Sequence, residues 1–202
     1  MEMVSFPCVA WSKTDSSPKE VLKDFLDTRP SQRWLMVGHH AAHCDAQLWT
    51  AWHCSVRRFL RNTQLARTID AEFIRFIAGT HHISEAFQRA GVSSSDLDGW
   101  LIYLPEISPN ESTEDGISPD QEYLQFFEKT SFEILESLNL KVSDSSLKHD
   151  LDNATKLGMN TDGLVMENFE DSLIGFILST EFNTLIRRVQ ALSVITLLYG
   201  AC

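Results

Sequence analysis

DAQLWTAWHCSVRRFLRNTQLARTIDAEFIRFIAGTHHISEAFQRAG, from Asp45 to Gly91, is the stretch on which the reading of this chain turns. Its spacing predicts three helices in quick succession. In the first, Asp45 to about Asn62, the residues Leu48, Trp49, Trp52, Val56, Phe59 and Leu60 recur at three- and four-residue steps, which puts them on one helical face. Arg57 and Arg61 fall on the opposite face at i,i+4, with Arg58 beside them, a like-charge spacing that weakens an isolated helix slightly. Either this is an ordinary solvated face or something anionic sits there. In the second helix Thr68 is the expected cap, and Asp70 and Glu72 lie in the first turn, where negative charge suits the helix dipole. Ile69, Phe73, Phe76 and Ile77 form its apolar stripe, and Gly79 closes it in a left-handed conformation. Thr80 is then placed to cap the third helix, with Ile83, Phe87 and Ala90 inward and Gly91 at its end. His81 and His82 fall in its first turn, where backbone N–H groups are free to bind an anion.

Working outward, Val4–Trp11 (VSFPCVAW) predicts a first strand, with Pro7 favouring an edge. Pro18 opens a helix through about Leu26, with Val21, Leu22, Phe25 and Leu26 inward. Arg29-Pro30-Ser31 breaks it, and Trp34–Gly38 (WLMVG) predicts a short buried strand. Beyond Gly91, Trp100–Leu104 predicts a third strand, and Glu106–Ile117 a polar surface loop. Ser118-Pro119 starts a long helix to about Asn139, striped by Tyr123, Leu124, Phe127, Ile134, Leu135 and Leu138. Leu140–Val142 reads as a short strand and Ser145–Leu157 as an acidic helix ending at Gly158. Phe169, Leu173, Phe176 and Ile177 mark a helix over Asn168–Ser179. Glu181–Tyr199 forms the last helix, its β-branched tail being open to a strand reading. Helices and strands in unequal numbers predict an α+β (mixed α/β) fold: a small central sheet surrounded by several helices, in a single domain over residues 1–202.

At 202 residues the chain is long enough to bury about 70% of its unfolded surface. Hydrophobic residues make up 43% and charged residues 22%, which is ordinary for a water-soluble domain rather than a disordered or membrane-embedded one. The apolar runs LIGFIL (Leu173–Leu178) and LSVITLLY (Leu192–Tyr199) fall short of a membrane span. No basic n-region with a long apolar run opens the chain, so a secretory signal is not expected. Cys8, Cys44, Cys54 and Cys202 have no paired spacing, which argues for free thiols and a cytoplasmic setting. The net charge of −11 argues against nucleic acid at first. Its distribution qualifies that. Arg57–Arg89 carries six of the ten arginines and a net +3, whereas Glu106–Glu181 carries seventeen acids against four lysines. A basic segment can coexist with an acidic half that faces away from the partner.

His39, His40, His43 and Cys44 (HHAAHC) are the cluster with metal-like spacing, which His53, Cys54, His81 and His82 could join. Zinc sites draw converging ligands from two separated short motifs, and the second is missing here. No GxSxG, Walker loop, GxGxxG or HExxH occurs. The residues therefore favour a binding or scaffold role over an enzyme, with no metal or cofactor expected. A metal-binding enzyme built on the HHxxHC loop is the lesser alternative.

The central stretch resembles the PRPK-binding protein family, the small kinase-binding subunit of the KEOPS complex. The residues that carry the likeness are Ala66-Arg67-Thr68-Ile69, Glu72, Ile74, Ala78-Gly79, Ile83, Ala86-Phe87 and Gly91, spaced as in the family. It is strong across about Asp45–Leu104 and collinear elsewhere. His81-His82 stand where the family has Arg-Gln, and the acidic segment at about 106–165 is longer. The resemblance implies a non-catalytic subunit that docks on a small atypical kinase/ATPase. Through that kinase it would reach the tRNA threonylcarbamoyltransferase subunit, and it would hold the 3′ CCA end of tRNA for threonylcarbamoylation of adenosine 37. Arg61, Arg67, Arg75, His81 and His82 are the expected tRNA contacts, and Ile83, Phe87, Leu185, Val189 and Leu192 the expected kinase contacts. The expected setting is cytoplasmic, and also nuclear in a eukaryote, without a membrane partner. An interaction module with no RNA role is the competing reading.

Overall fold

The sheet is built from apolar runs whose side chains alternate between two helical layers. The computed structural model describes residues 5–13, 21–93, 95–107 and 122–181. Its strands are β1 (Cys8–Lys13), β2 (Trp34–Gly38), β3 (Asp98–Tyr103) and β4 (Leu140–Val142). They pair antiparallel in the order β2-β3-β1-β4. The register sets Cys8 opposite Ile102, Trp11 opposite Gly99 and Trp34 opposite Tyr103. Gly99 is required there, because a Cβ would meet the Val37 carbonyl oxygen at 2.5 Å and the Trp11 indole at 2.8 Å.

Period-2 alternation sorts the side chains. Val9, Trp11, Trp34, Met36, Leu101 and Tyr103 pack with α1 (Val21–Thr28) and α5 (Tyr123–Ser137). Cys8, Ala10, Leu35, Val37, Trp100 and Ile102 face the other way. They meet α2 (Asp45–Leu60), α3 (Ile69–Ile77) and α4 (Ile83–Ala90), the three helices read from the central stretch. The fold is α+β, a small antiparallel sheet with helices on both faces. A third, smaller apolar cluster joins α6 (Leu151–Lys156) to a final described helix α7 (169–181) through Ala154, Met159, Phe169 and Leu173. No helix among the described residues is long and apolar enough to cross a membrane.

Several expectations shift. β1 lies inside the sheet between β3 and β4, because Pro7 sits just ahead of the ladder and its carbonyl accepts from the Tyr103 amide. Leu26 and Leu124 point to solvent, since the sheet meets only the Val21/Phe25 and Tyr123/Phe127 flanks of their helices. α6 is shorter than predicted and begins at its Asp150 cap, whose carboxylate accepts from the Asn153 amide at 2.8 Å. Gly79 has the left-handed φ expected of it, +59°. The starts of the Pro18 and Ser118-Pro119 helices, most of the Glu106–Ile117 loop and the last helix fall outside the described residues.

Candidate functional site

The helical trio is organised by a carboxylate that burial would not tolerate alone. Asp70 to Ile77 of α3 are all buried, and Glu72 among them finds donors on two sides. Its Oε2 accepts from the backbone amides of Leu65 (3.1 Å) and Ala66 (2.9 Å), and from Arg75 Nε (3.2 Å). Its Oε1 accepts from Arg75 Nη2 at 2.6 Å. Arg75 is fully enclosed, and its Nη1 donates to the Thr80 carbonyl at 3.1 Å. This one ion pair therefore fastens the chain at 65–66 and at 80.

Arg58 completes the frame. Its guanidinium donates to the carbonyls of Thr63 and Glu181 (3.3 Å each) and lies 5.4 Å from the centre of the Phe76 ring, with Arg75 at 4.3 Å. Arg58 is buried, so the supposed outer face of α2 is solvated at Arg61 and partly at Arg57, which sits 3.8 Å from Glu181. Arg75, expected as a tRNA contact, is removed from that set: it has no surface with which to reach a ligand. Of the other expected tRNA contacts, Arg61 and Arg67, in the loop clamped by Glu72 and Arg58, and His82, after the Thr80 anchor, are exposed, and His81 is half-buried.

The start of α4 also differs from expectation. The helix begins at Ile83, with His82 as cap, so His81 and His82 precede the first turn rather than occupy it. The cause is Thr80, whose hydroxyl accepts from the His82 amide (3.2 Å) and donates a short hydrogen bond to Glu85. That hydroxyl, helped by Arg89 and His82, holds the Glu85 carboxyl below the usual carboxylate range. Arg89 is likewise a brace, bonded to Glu85 (2.6 Å) and to the carbonyls of Ala78 (3.1 Å) and Leu157 (3.4 Å). Thr68 caps α3 by position alone, without a side-chain bond. Of the expected kinase contacts, Phe87 is 44% exposed and Ile83 half-buried. Leu185, Val189 and Leu192 lie outside the described residues.

The HHAAHC run does not converge on a point. His39 stacks on Trp100 (5.8 Å between ring centres), and His40 Nε2 is 2.6 Å from the Arg89 carbonyl. His43 is sealed inside, where burial pushes its pKa down to about 4 and keeps the ring neutral. Cys44 instead meets residues that the sequence did not single out. Its sulfur, a His149 ring nitrogen and a Glu170 carboxylate oxygen lie within 4.8 Å of one another. Burial pushes this thiol up to about 11. A half-buried cysteine facing a distant His–Glu pair has no local sequence signature, because three elements supply it.

No protein-family model matches the chain, and a search of curated proteins finds no match either.

Proposed function

We propose that this chain is a non-catalytic subunit of a KEOPS complex, working in the cytoplasm and, in a eukaryote, also in the nucleus. It docks on the small atypical kinase/ATPase, reaches the threonylcarbamoyltransferase subunit through it, and holds the 3′ CCA end of tRNA for modification of adenosine 37. The observation that carries this reading is the buried Glu72–Arg75 pair. It secures the two backbone segments from which Arg61, Arg67, His81 and His82 project. Two arginines and two imidazoles suit a single-stranded end, which is held by cationic contacts and by stacking on planar rings. Histidine stacks but lacks a permanent forked charge, so the arginines supply most of the phosphate attraction. Ile83 and Phe87 offer an apolar patch on α4 for the kinase, and Leu185, Val189 and Leu192 are the further kinase contacts of this reading.

The test separates the two partners. Arg61→Glu with Arg67→Glu lowers affinity for a CCA-ended RNA and flattens its dependence on log salt by about 1.4, at roughly 0.7 per lost single-strand contact. The same variant still co-purifies with the kinase. Phe87→Glu does the reverse. A pure protein-interaction role is the second reading, favoured because burial of Arg58 and Arg75 leaves few phosphate contacts on a chain of net charge −11. RNA affinity unchanged in the double variant would select it.

A further inference from the structure

We propose that Cys44, His149 and Glu170 form a zinc-binding site with one coordination position left open. The proposal is independent of the KEOPS reading. Three separate parts of the fold supply the ligands: Cys44 caps α2, His149 precedes α6, and Glu170 sits in the first turn of α7. The donor set is a thiolate sulfur, an imidazole nitrogen and a carboxylate oxygen. That mixture suits zinc, whereas calcium and magnesium require oxygen alone.

The spacing is close to what the ion needs. His149 Nε2 and Glu170 Oε2 are 3.8 Å apart, and no pair in the trio exceeds 4.8 Å. Tetrahedral zinc with ordinary bond lengths sets such atoms about 3.3–3.6 Å apart. Side-chain adjustments of roughly 1.5 Å or less close that gap. All three residues are half-buried beside the apolar cluster of Ala154, Met159, Phe169 and Leu173, which limits competing water. The His149 ring stacks on Phe169 (4.8 Å between centres, 28° between planes), so its orientation is already set.

The same segment is tied down by His43, next to Cys44 in the chain, which is 1% exposed, packs its ring against Phe169 at 5.4 Å and is hydrogen-bonded to the backbone of Lys148, the residue before His149. Bound zinc would also clip the start of α2 to the His149 segment and the first turn of α7.

The experiment uses the full chain, stripped with a chelator and titrated with cobalt and then zinc. One equivalent of cobalt is expected to give tetrahedral d–d bands and a thiolate charge-transfer band, both removed by zinc. Cys44→Ser abolishes the charge-transfer band. His149→Gln and Glu170→Gln weaken zinc binding by at least about 100-fold, more than the 10–100-fold typical of groups one layer out. His39→Ala with His40→Ala leaves binding unchanged. Absence of a saturable equivalent, or a charge-transfer band that survives in Cys44→Ser, overturns the site. If Cys44→Ser fails to fold, alkylation of Cys44 in the native chain decides instead. Zinc protection that disappears in His149→Gln supports the site, and equal alkylation with and without zinc refutes it.

Discussion

Glu72 shows how one residue can set the geometry of a surface from which it is itself excluded. Its carboxylate binds two backbone amides and the Arg75 guanidinium, so removing it strands a buried cation and the buried Ala66 amide. Breaking one side of such a pair costs about 3–5 kcal/mol. Glu72→Ala should lose that much in urea unfolding, whereas Arg61→Ala, on the exposed face, should stay within about 0.5 kcal/mol of the parent. A loss under about 1 kcal/mol for Glu72→Ala would mean that the pair does not anchor the loop. Gly79 makes a different demand. At φ +59° an alanine is strained by about 1–2 kcal/mol, and its Cβ would also fall 2.0 Å from the Phe176 ring. A double-mutant cycle of Gly79→Ala with Phe176→Ala should therefore show a coupling above about 1 kcal/mol. Strict additivity would place the ring elsewhere.

Among the described elements, α4 is short and is braced at both ends. Eight residues are too few to stay helical alone. Its start depends on Thr80, His82 and Glu85, and its far end on Arg89. Glu85 has a folded-state pKa below its ordinary 4.5. Its contribution is thus complete above about pH 4.5 and is lost as pH falls through the lower folded value. Glu85→Gln should accordingly be less stable than the parent at pH 7, with the difference shrinking as the solution is acidified below that point. A gap that widens in acid would reverse the assignment. The apolar periodicity of this helix was legible from sequence, but its first residue was not. Thr80 resembles a cap at the next position, and only the fold shows its hydroxyl reaching over to Glu85.

At the scale of the molecule, the sheet is enclosed between two helical layers, while the α6–α7 region adds a smaller cluster at one side. That arrangement orders the local stabilities. Amides of β3 from Trp100 to Tyr103, hydrogen-bonded on both sides and buried, should exchange only on global unfolding. Those of 143–168, where α6 is a short helix, should exchange first. Hydrogen exchange read by mass spectrometry checks this, and equal protection in the two regions would mean that they unfold as one unit. Zinc in excess of the protein should slow exchange around 145–157 if the site forms.

Alternation and periodicity by themselves determined the elements. WLMVG and WLIYL read as buried strands, and the spacing in Asp45–Gly91 as three helices, because side-chain direction follows local backbone geometry. The tertiary structure alone decided which charges reach water. Arg58 and Arg75 share their types and neighbourhood with Arg61 and Arg67, yet they are enclosed, because Glu72 and the carbonyls of Thr63, Thr80 and Glu181 close around them. It also brought His149 and Glu170 to Cys44. Burial and convergence are properties of the packed chain, set by residues distant in sequence, so neither is written in local spacing.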